Sequence, residues 1–369
     1  MYFLILIYSI KIKIIKIFYK NYNPYNNKNI KGYNFSPSNI INERSIILAN
    51  NRLNRKVNLI TWKIESKKKL LKLLGIEEEK SIIVLSKKKS LFKKKYILEE
   101  YIIRLEKNRN IPIQFLYKKE ISNYLGYCIC LQGTNSGAHL SLGKIILPYD
   151  WVKIKNKCDL SIQAAANNYI AISYDRIGFG IRKEIIIKSP LNKFHTINPA
   201  FHFLSQGSTL LGQDCLELNS IIKWLKKNDN KKNIFVVGYS AAGTTAIFSA
   251  AINDSIDAIV VGGCVGLYSD TIMKRGTAGY ENIPNLLNHF DLDLIISLIA
   301  PKFCSVIAGD SDHIWPYKNA KKVHDNINIF FKENIDQNNF NLIKANEGHT
   351  YYPELMWPEV KRIYNKLKK

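Results

Sequence analysis

Beyond residue 120, short apolar runs alternate with stretches of helical period. Residues 127–131, 169–174, 233–237, 258–262, 303–308 and 340–345 read as strands, and residues 212–227, 241–252, 316–331 and 353–367 as helices. Strands this short and nearly all apolar, separated by helices, are the pattern of a mostly parallel sheet covered on both faces, which predicts an α/β fold. Upstream, YILEEYIIRLEK (96–107) and IPIQFLYKK (111–119), split by Asn108 to Asn110, predict an antiparallel strand pair. Residues 64–75 place Leu70, Leu71, Leu73 and Leu74 on one helical face that stops at Gly75. Two lysine triplets, 87–89 and 93–95, fall in what reads as a connection. Residues 21–60 are rich in Asn, Tyr, Ser and Lys and have no period, so they are expected to form a loop or partly disordered extension. Two stretches, 175–211 and 267–300, exceed ordinary connection lengths and are candidates for loops or caps over a site. The expected organisation is a basic extension over 1–60 and a folded domain over 61–369.

The first twenty residues, MYFLILIYSIKIKIIKIFYK, change this picture little. Their apolar run from Tyr2 to Ile10 is too short to span a bilayer. It lacks the basic start and small-residue cleavage site of a signal peptide. A cytoplasmic location is expected, with an atypical signal or a membrane-surface contact of the basic N-terminus as the rival readings. Composition fits a globular chain: of 369 residues 46% are apolar and 23% charged. The net charge of +24 raises nucleic acid as a partner, but residues 1–120 carry most of it, with 27 Lys/Arg against 9 Asp/Glu. That region is saturated with Ile, Asn, Tyr and Lys, residues of A- and T-rich codons, and no nucleic-acid motif accompanies it. Solvated surface charge is the favoured reading, and no nucleic-acid partner is expected. The six cysteines, Cys128, Cys130, Cys158, Cys215, Cys264 and Cys304, form no C-x-x-C pair and have no His at metal-ligand spacing. Buried free thiols are expected.

The chemistry concentrates where a buried strand runs through NIFVVGYSAAG (233–243) into a helix. A tight strand-to-helix turn lifts a serine hydroxyl clear of the sheet, provided its neighbours are small, and Gly238, Ala241, Ala242 and Gly243 flank Ser240. Ala242 stands where the usual G-x-S-x-G pattern has its second glycine. A serine needs a base at neutral pH, and a carboxylate to orient that base, following in the order Ser, Asp/Glu, His. Four histidines follow Ser240. His289 precedes the loop where the acid is expected, His313 adjoins a candidate acid, and His324 lies in a lysine-rich helix. His349, directly after the last strand, is the expected base. The acid comes from Gly309 to Pro316, after a strand end, where Asp310 and Asp312 compete. The G-x-x-D-x-x-x-P spacing favours Asp312 and leaves Asp310 a turn hydrogen bond. Donors for an oxyanion are expected at the amide of Ala241 and in CICLQGTNSGAH (128–139), at Thr134 with Gly133 as the rival. No metal or organic cofactor is implied.

These segments, with LQGTNSGAHLSLG (131–143), AISYDRIGFGIR (171–182), GSTLLGQDCLELNSIIKWL (207–225), LIAPKFCSVIAGDSDHIWP (298–316) and EGHTYYPELMWP (347–358), resemble the α/β-hydrolase superfamily. Within it the likeness is to the dienelactone-hydrolase and acetyl-xylan-esterase-like branch, over roughly residues 65–369. The resemblance implies an α/β-hydrolase fold and a triad of Ser240, Asp312 and His349. The departures are Ala242 and Gln132, which stands where many hydrolases have His. Dienelactone hydrolases use a cysteine nucleophile, so Ser240 points to an esterase. The expected activity is cleavage of a small-molecule carboxylic ester through an acyl-enzyme. A peptidase of the same fold and a catalytically silent binding module are the rivals.

Overall fold

The computed structural model describes residues 37–50, 58–76, 78–120, 123–186, 196–230, 232–274, 279–334 and 339–369. The apolar N-terminal run lies outside them. The chain divides into two compact units, Met1–Arg44 and Ser45–Lys369. Of the first, the described part is the beginning of the helix Pro37–Asn50. That helix corrects the reading of residues 21–60 as a loop. Its isoleucines 40, 41, 46 and 47 are 44–71% exposed, and Arg44 falls on the side where Ile40, Ile41 and Ile47 lie, so no clean apolar stripe marks the helix in the sequence.

The second unit is built on nine strands: β1 (Ile83–Phe92), β2 (Tyr96–Glu106), β3 (Arg109–Lys118), β4 (Gly126–Leu131), β5 (Ile170–Tyr174), β6 (Asn233–Tyr239), β7 (Ala258–Gly262), β8 (Phe303–Gly309) and β9 (Phe340–Ala345). They form one sheet in the order β1-β2-β3-β5-β4-β6-β7-β8-β9. The pairs from β1 to β3 and from β3 to β5 are antiparallel, and every pair from β5 across to β9 is parallel. The central strand β4 is buried at every position, as its GYCICL sequence requires of a strand covered on both sides. On one face pack the helices Leu59–Leu74, Leu210–Asn228, Ala241–Ile252, Leu292–Ser297 and Tyr317–Asn334, through residues such as Leu70, Leu218, Ile247, Ile295 and Val323. The other face is covered by Leu160–Ala166 and Pro353–Leu367, through Ala164, Met356, Val360 and Ile363. Among the described residues no helix is long and apolar enough to cross a membrane.

The lysine triplet 87–89 is not a connection but the middle of β1, an edge strand. Lys87 and Lys89 reach across the ladder to Glu99 at 3.2 and 3.5 Å. Lysines on an edge strand discourage pairing with another chain, and an exposed edge lacks the apolar alternation by which strands are recognised. The second triplet does form the turn between β1 and β2, with Lys93 and Lys94 at φ 47 and 60°. The cysteines are free, five of them buried and Cys158 half-buried.

Glu359 ties the last helix to the sheet. It is 6% exposed and accepts from the Ser305 hydroxyl on β8, from Asn341 Nδ2 on β9 at 3.0 Å and from the Arg362 guanidinium at 2.6 Å. Burial alone would raise its carboxyl, but these donors outweigh burial and hold it at about 2. Because the folded value lies below the ordinary one, its stabilising contribution is complete above the ordinary carboxylate range and is lost as pH falls toward that value. Glu359→Gln is therefore expected to flatten the acid limb of a Tm-against-pH curve below about pH 4.5. An unchanged limb would assign acid sensitivity to other carboxylates.

Candidate active site

The turn at the end of β6 is sharp enough to put Ser240 at φ 57°, ψ −132°, a conformation non-glycine residues seldom adopt. Its amide donates to Gly262 O at 2.8 Å, which anchors the turn to β7. Two glycines let the following helix cross this closely. A Cβ at Gly238 would meet the Ala242 backbone at 3.0 Å, and one at Gly243 would meet Cys264 Sγ at 2.5 Å. Ala242 itself is fully buried in the core, so its methyl group is accommodated where a glycine was expected.

The structure brings together the three side chains expected to act in sequence. His349 Nε2 lies 3.1 Å from Ser240 Oγ, and His349 Nδ1 lies 2.8 Å from Asp312 Oδ2. Asp312 is 2% exposed, and its other oxygen accepts from the amides of Ile314 and Trp315, each at 2.8 Å. Burial works to raise its carboxyl, but the His349 hydrogen bond and the two amides hold it below its ordinary value. It is therefore ionised at neutral pH and can only accept. Nδ1 of His349 must carry the proton, and Nε2 is left with a lone pair facing the serine hydroxyl.

Asp310 points elsewhere. Its carboxylate pairs with Lys344 at 3.0 Å on the surface. His313 is exposed, its ring 6.0 Å from that of His349, and His324 leans on Asp325 and Asn328 in the helix Tyr317–Asn334. His289 sits in the stretch between β7 and β8, with Asn285 as neighbour.

Ser240 and His349 open onto a cavity of about 360 Å³ whose lining includes Gly133, Thr134 and Ala241. The chain at Gly133 passes so close that a Cβ there would stand 2.7 Å from Tyr239 O and 3.3 Å from Ser240 Cβ. Glycine is required at that point, and Thr134 follows it along the cavity. Gln132 holds this loop in place: its amide donates to Ser141 Oγ at 2.8 Å and Cys158 O at 2.7 Å, and its oxygen accepts from Asn135 at 2.8 Å. Both stretches read as long loops reach the cavity, the first through Phe179 and Thr196, the second through Tyr280 and Glu281, although each also contains a helix, Ile197–Ser205 and Leu292–Ser297.

One group of residues was not anticipated. Arg176, 2% exposed, donates to Gln132 O at 3.2 Å and to Asp214 Oδ2 at 2.9 Å, with its guanidinium over the rings of Phe179 and Tyr280. Tyr280 donates to the same Asp214 oxygen at 2.8 Å. A buried cation thus links the Gln132 loop, the helix Leu210–Asn228 and the cavity wall. The signal in the sequence was Asp214, a carboxylate among apolar neighbours on a helix that ends up 1% exposed.

A mixed, mostly parallel sheet with a sharp serine turn after β6, an aspartate after β8 and a histidine after β9 together define an α/β-hydrolase fold. No protein-family model matches the chain, and no curated protein is similar to it in sequence. Solved structures are similar in fold. A candidate acetyl xylan esterase from Bacteroides fragilis NCTC 9343 superimposes with a TM-score of 0.68 at 14% identity, covering 90% of this chain and 96% of that one. A glucuronoyl esterase from Solibacter usitatus gives 0.59 at 11% identity, over 84% and 93%. Acetyl xylan esterase 1 from Thermoanaerobacterium sp. JW/SL YS485 gives 0.55 at 13% identity, over 82% and 93%.

Proposed function

We propose that this protein is a serine-dependent hydrolase of small carboxylic esters that works through an acyl-enzyme. The observation that carries the proposal is the chain of hydrogen-bond distances from Asp312 through His349 to Ser240 Oγ, on a serine held at positive φ at the edge of a cavity. In this mechanism Ser240 Oγ attacks the acyl carbon as His349 Nε2 takes its proton. The amides of Ala241 and Thr134, or of Gly133 in place of Thr134, donate to the developing oxyanion. Protonated His349 then hands its proton to the departing alkoxide, and the acyl group stays on Ser240. Water, deprotonated by the same nitrogen, releases the acid and restores the hydroxyl. Asp312 stabilises the imidazolium without being protonated.

The names of the structural neighbours, acetyl xylan and glucuronoyl esterases, favour ester over peptide cleavage. The test is labelling with a fluorophosphonate together with hydrolysis of p-nitrophenyl esters of graded chain length. One serine should be labelled, at Ser240, and turnover should depend on acyl length. A folded protein that neither takes the label nor turns over any ester would be a silent member of the fold.

A further inference from the structure

Between Lys144 and Lys155 the sequence KIILPYDWVKIK exposes large apolar side chains in close succession. Ile145, Ile146, Leu147, Tyr149 and Trp151 are 53, 65, 43, 65 and 58% exposed. A single exposed apolar residue is ordinary; five within seven positions form a patch that calls for a partner. The turn beneath them is anchored from inside. Asp150 points inward, 1% exposed, and accepts from the amides of Ile146 and Leu147 at 2.9 and 2.8 Å. It also pairs with His139 Nε2 at 2.8 Å and accepts from the Ser136 hydroxyl. The apolar tips are thus held outward by an internal anchor.

Two lysines of the segment lie against its rings. The Lys153 ammonium lies 5.4 Å from the Tyr149 ring and that of Lys155 lies 5.3 Å from the Trp151 ring. Lys93, from the basic β1–β2 turn, places its ammonium beside Gly143 at the start of the segment, where a Cβ would stand 3.4 Å from it and 3.8 Å from the Cβ of Asp159. The only carboxylate between Lys144 and Lys155 is the buried Asp150.

We infer that this patch docks the protein on an anionic phospholipid surface. Aliphatic tips below the headgroups, Tyr and Trp at headgroup depth and lysines among the phosphates are the distribution such an interface favours. A second copy packing by the same face would instead set lysines against lysines, on a chain whose net charge is already +24. Lys153 also lines the cavity that holds Ser240, so docking would bring the cavity mouth to a surface where acyl esters collect. That last consequence rests on the proposed esterase function, whereas the docking itself does not.

The test is co-sedimentation of the full chain with vesicles of phosphatidylcholine containing phosphatidylserine, and with phosphatidylcholine alone. Binding should favour the anionic vesicles and weaken as salt rises. The double substitution Tyr149→Ser with Trp151→Ser should lower the partition coefficient at least about tenfold with an unchanged circular dichroism spectrum. As a milder check, Trp151→Phe should retain binding but lose a component of tryptophan quenching by brominated lipid. The inference is overturned by absence of binding, by equal binding of the double variant, by unchanged quenching in Trp151→Phe, or by a dimer in solution that the double variant dissolves. Esterase assays with soluble substrate are read separately, so failure of docking and failure of the catalytic proposal stay distinguishable.

Discussion

Ser240→Ala is expected to lower ester turnover by about 10⁴ to 10⁶ and to leave the fold intact. In the proposed mechanism the loss is large because this hydroxyl forms the acyl-enzyme, and His349 without it has only water to activate. Some rate above the uncatalysed reaction should persist, since amide donors and substrate positioning survive the substitution. The fold should survive because Ser240 lies at the cavity rather than in the core, half-buried beside His349. Alanine also keeps the same Cβ at φ 57°, so the strain of the turn is unchanged. Stopped assays with the best p-nitrophenyl ester, beside a thermal melt, decide the matter. Normal turnover from a variant with a normal melt would remove Ser240 from the mechanism.

Asp312→Asn should reduce kcat about 10⁴-fold with little change in KM. An asparagine in that place presents either its oxygen or its NH₂ to His349. With Ile314 and Trp315 amides donating to one side, the amide nitrogen is turned toward the histidine, which would then have to accept at Nδ1. Nε2 would carry the proton and could not take one from Ser240. Asp310→Asn, two residues away, loses a surface pair with Lys344 in which both side chains are about half exposed, worth about 0–1 kcal/mol. Its kcat should be nearly normal. The reverse pattern, an inactive Asp310→Asn beside a working Asp312→Asn, would move the acid by two residues and leave Ser240 and His349 in place.

Much of this architecture is readable from local pattern. Strands buried on both faces must be apolar nearly throughout, so β4 to β8 stand out in the sequence, whereas β9 is a half-buried edge strand; the helix Ala241–Ile252 is buried all round and its neighbours carry one apolar face. The serine turn is readable for a similar reason, since tight backbone crossing demands small residues at fixed offsets. The chain order of serine, acid and histidine follows from where those strands end. What has no local pattern was missed. β1 is an edge strand whose lysines find Glu99 only after β2 folds back beside it. The helix Pro37–Asn50 has Arg44 among its isoleucines, which blurs its period.

Tertiary structure alone decided the questions that depend on direction rather than spacing. Asp310 and Asp312 are the same residue type in one loop, and only folding buries one against His349 and turns the other to solvent. The Arg176–Asp214 pair joins residues 38 apart in the chain through a low-dielectric interior, where a charge left alone would be costly. The sequence by itself determined which residues could do the chemistry, because backbone sterics and burial act on neighbours. Which of them meet was decided by the packing of distant strand ends, whose geometry no short stretch of chain contains.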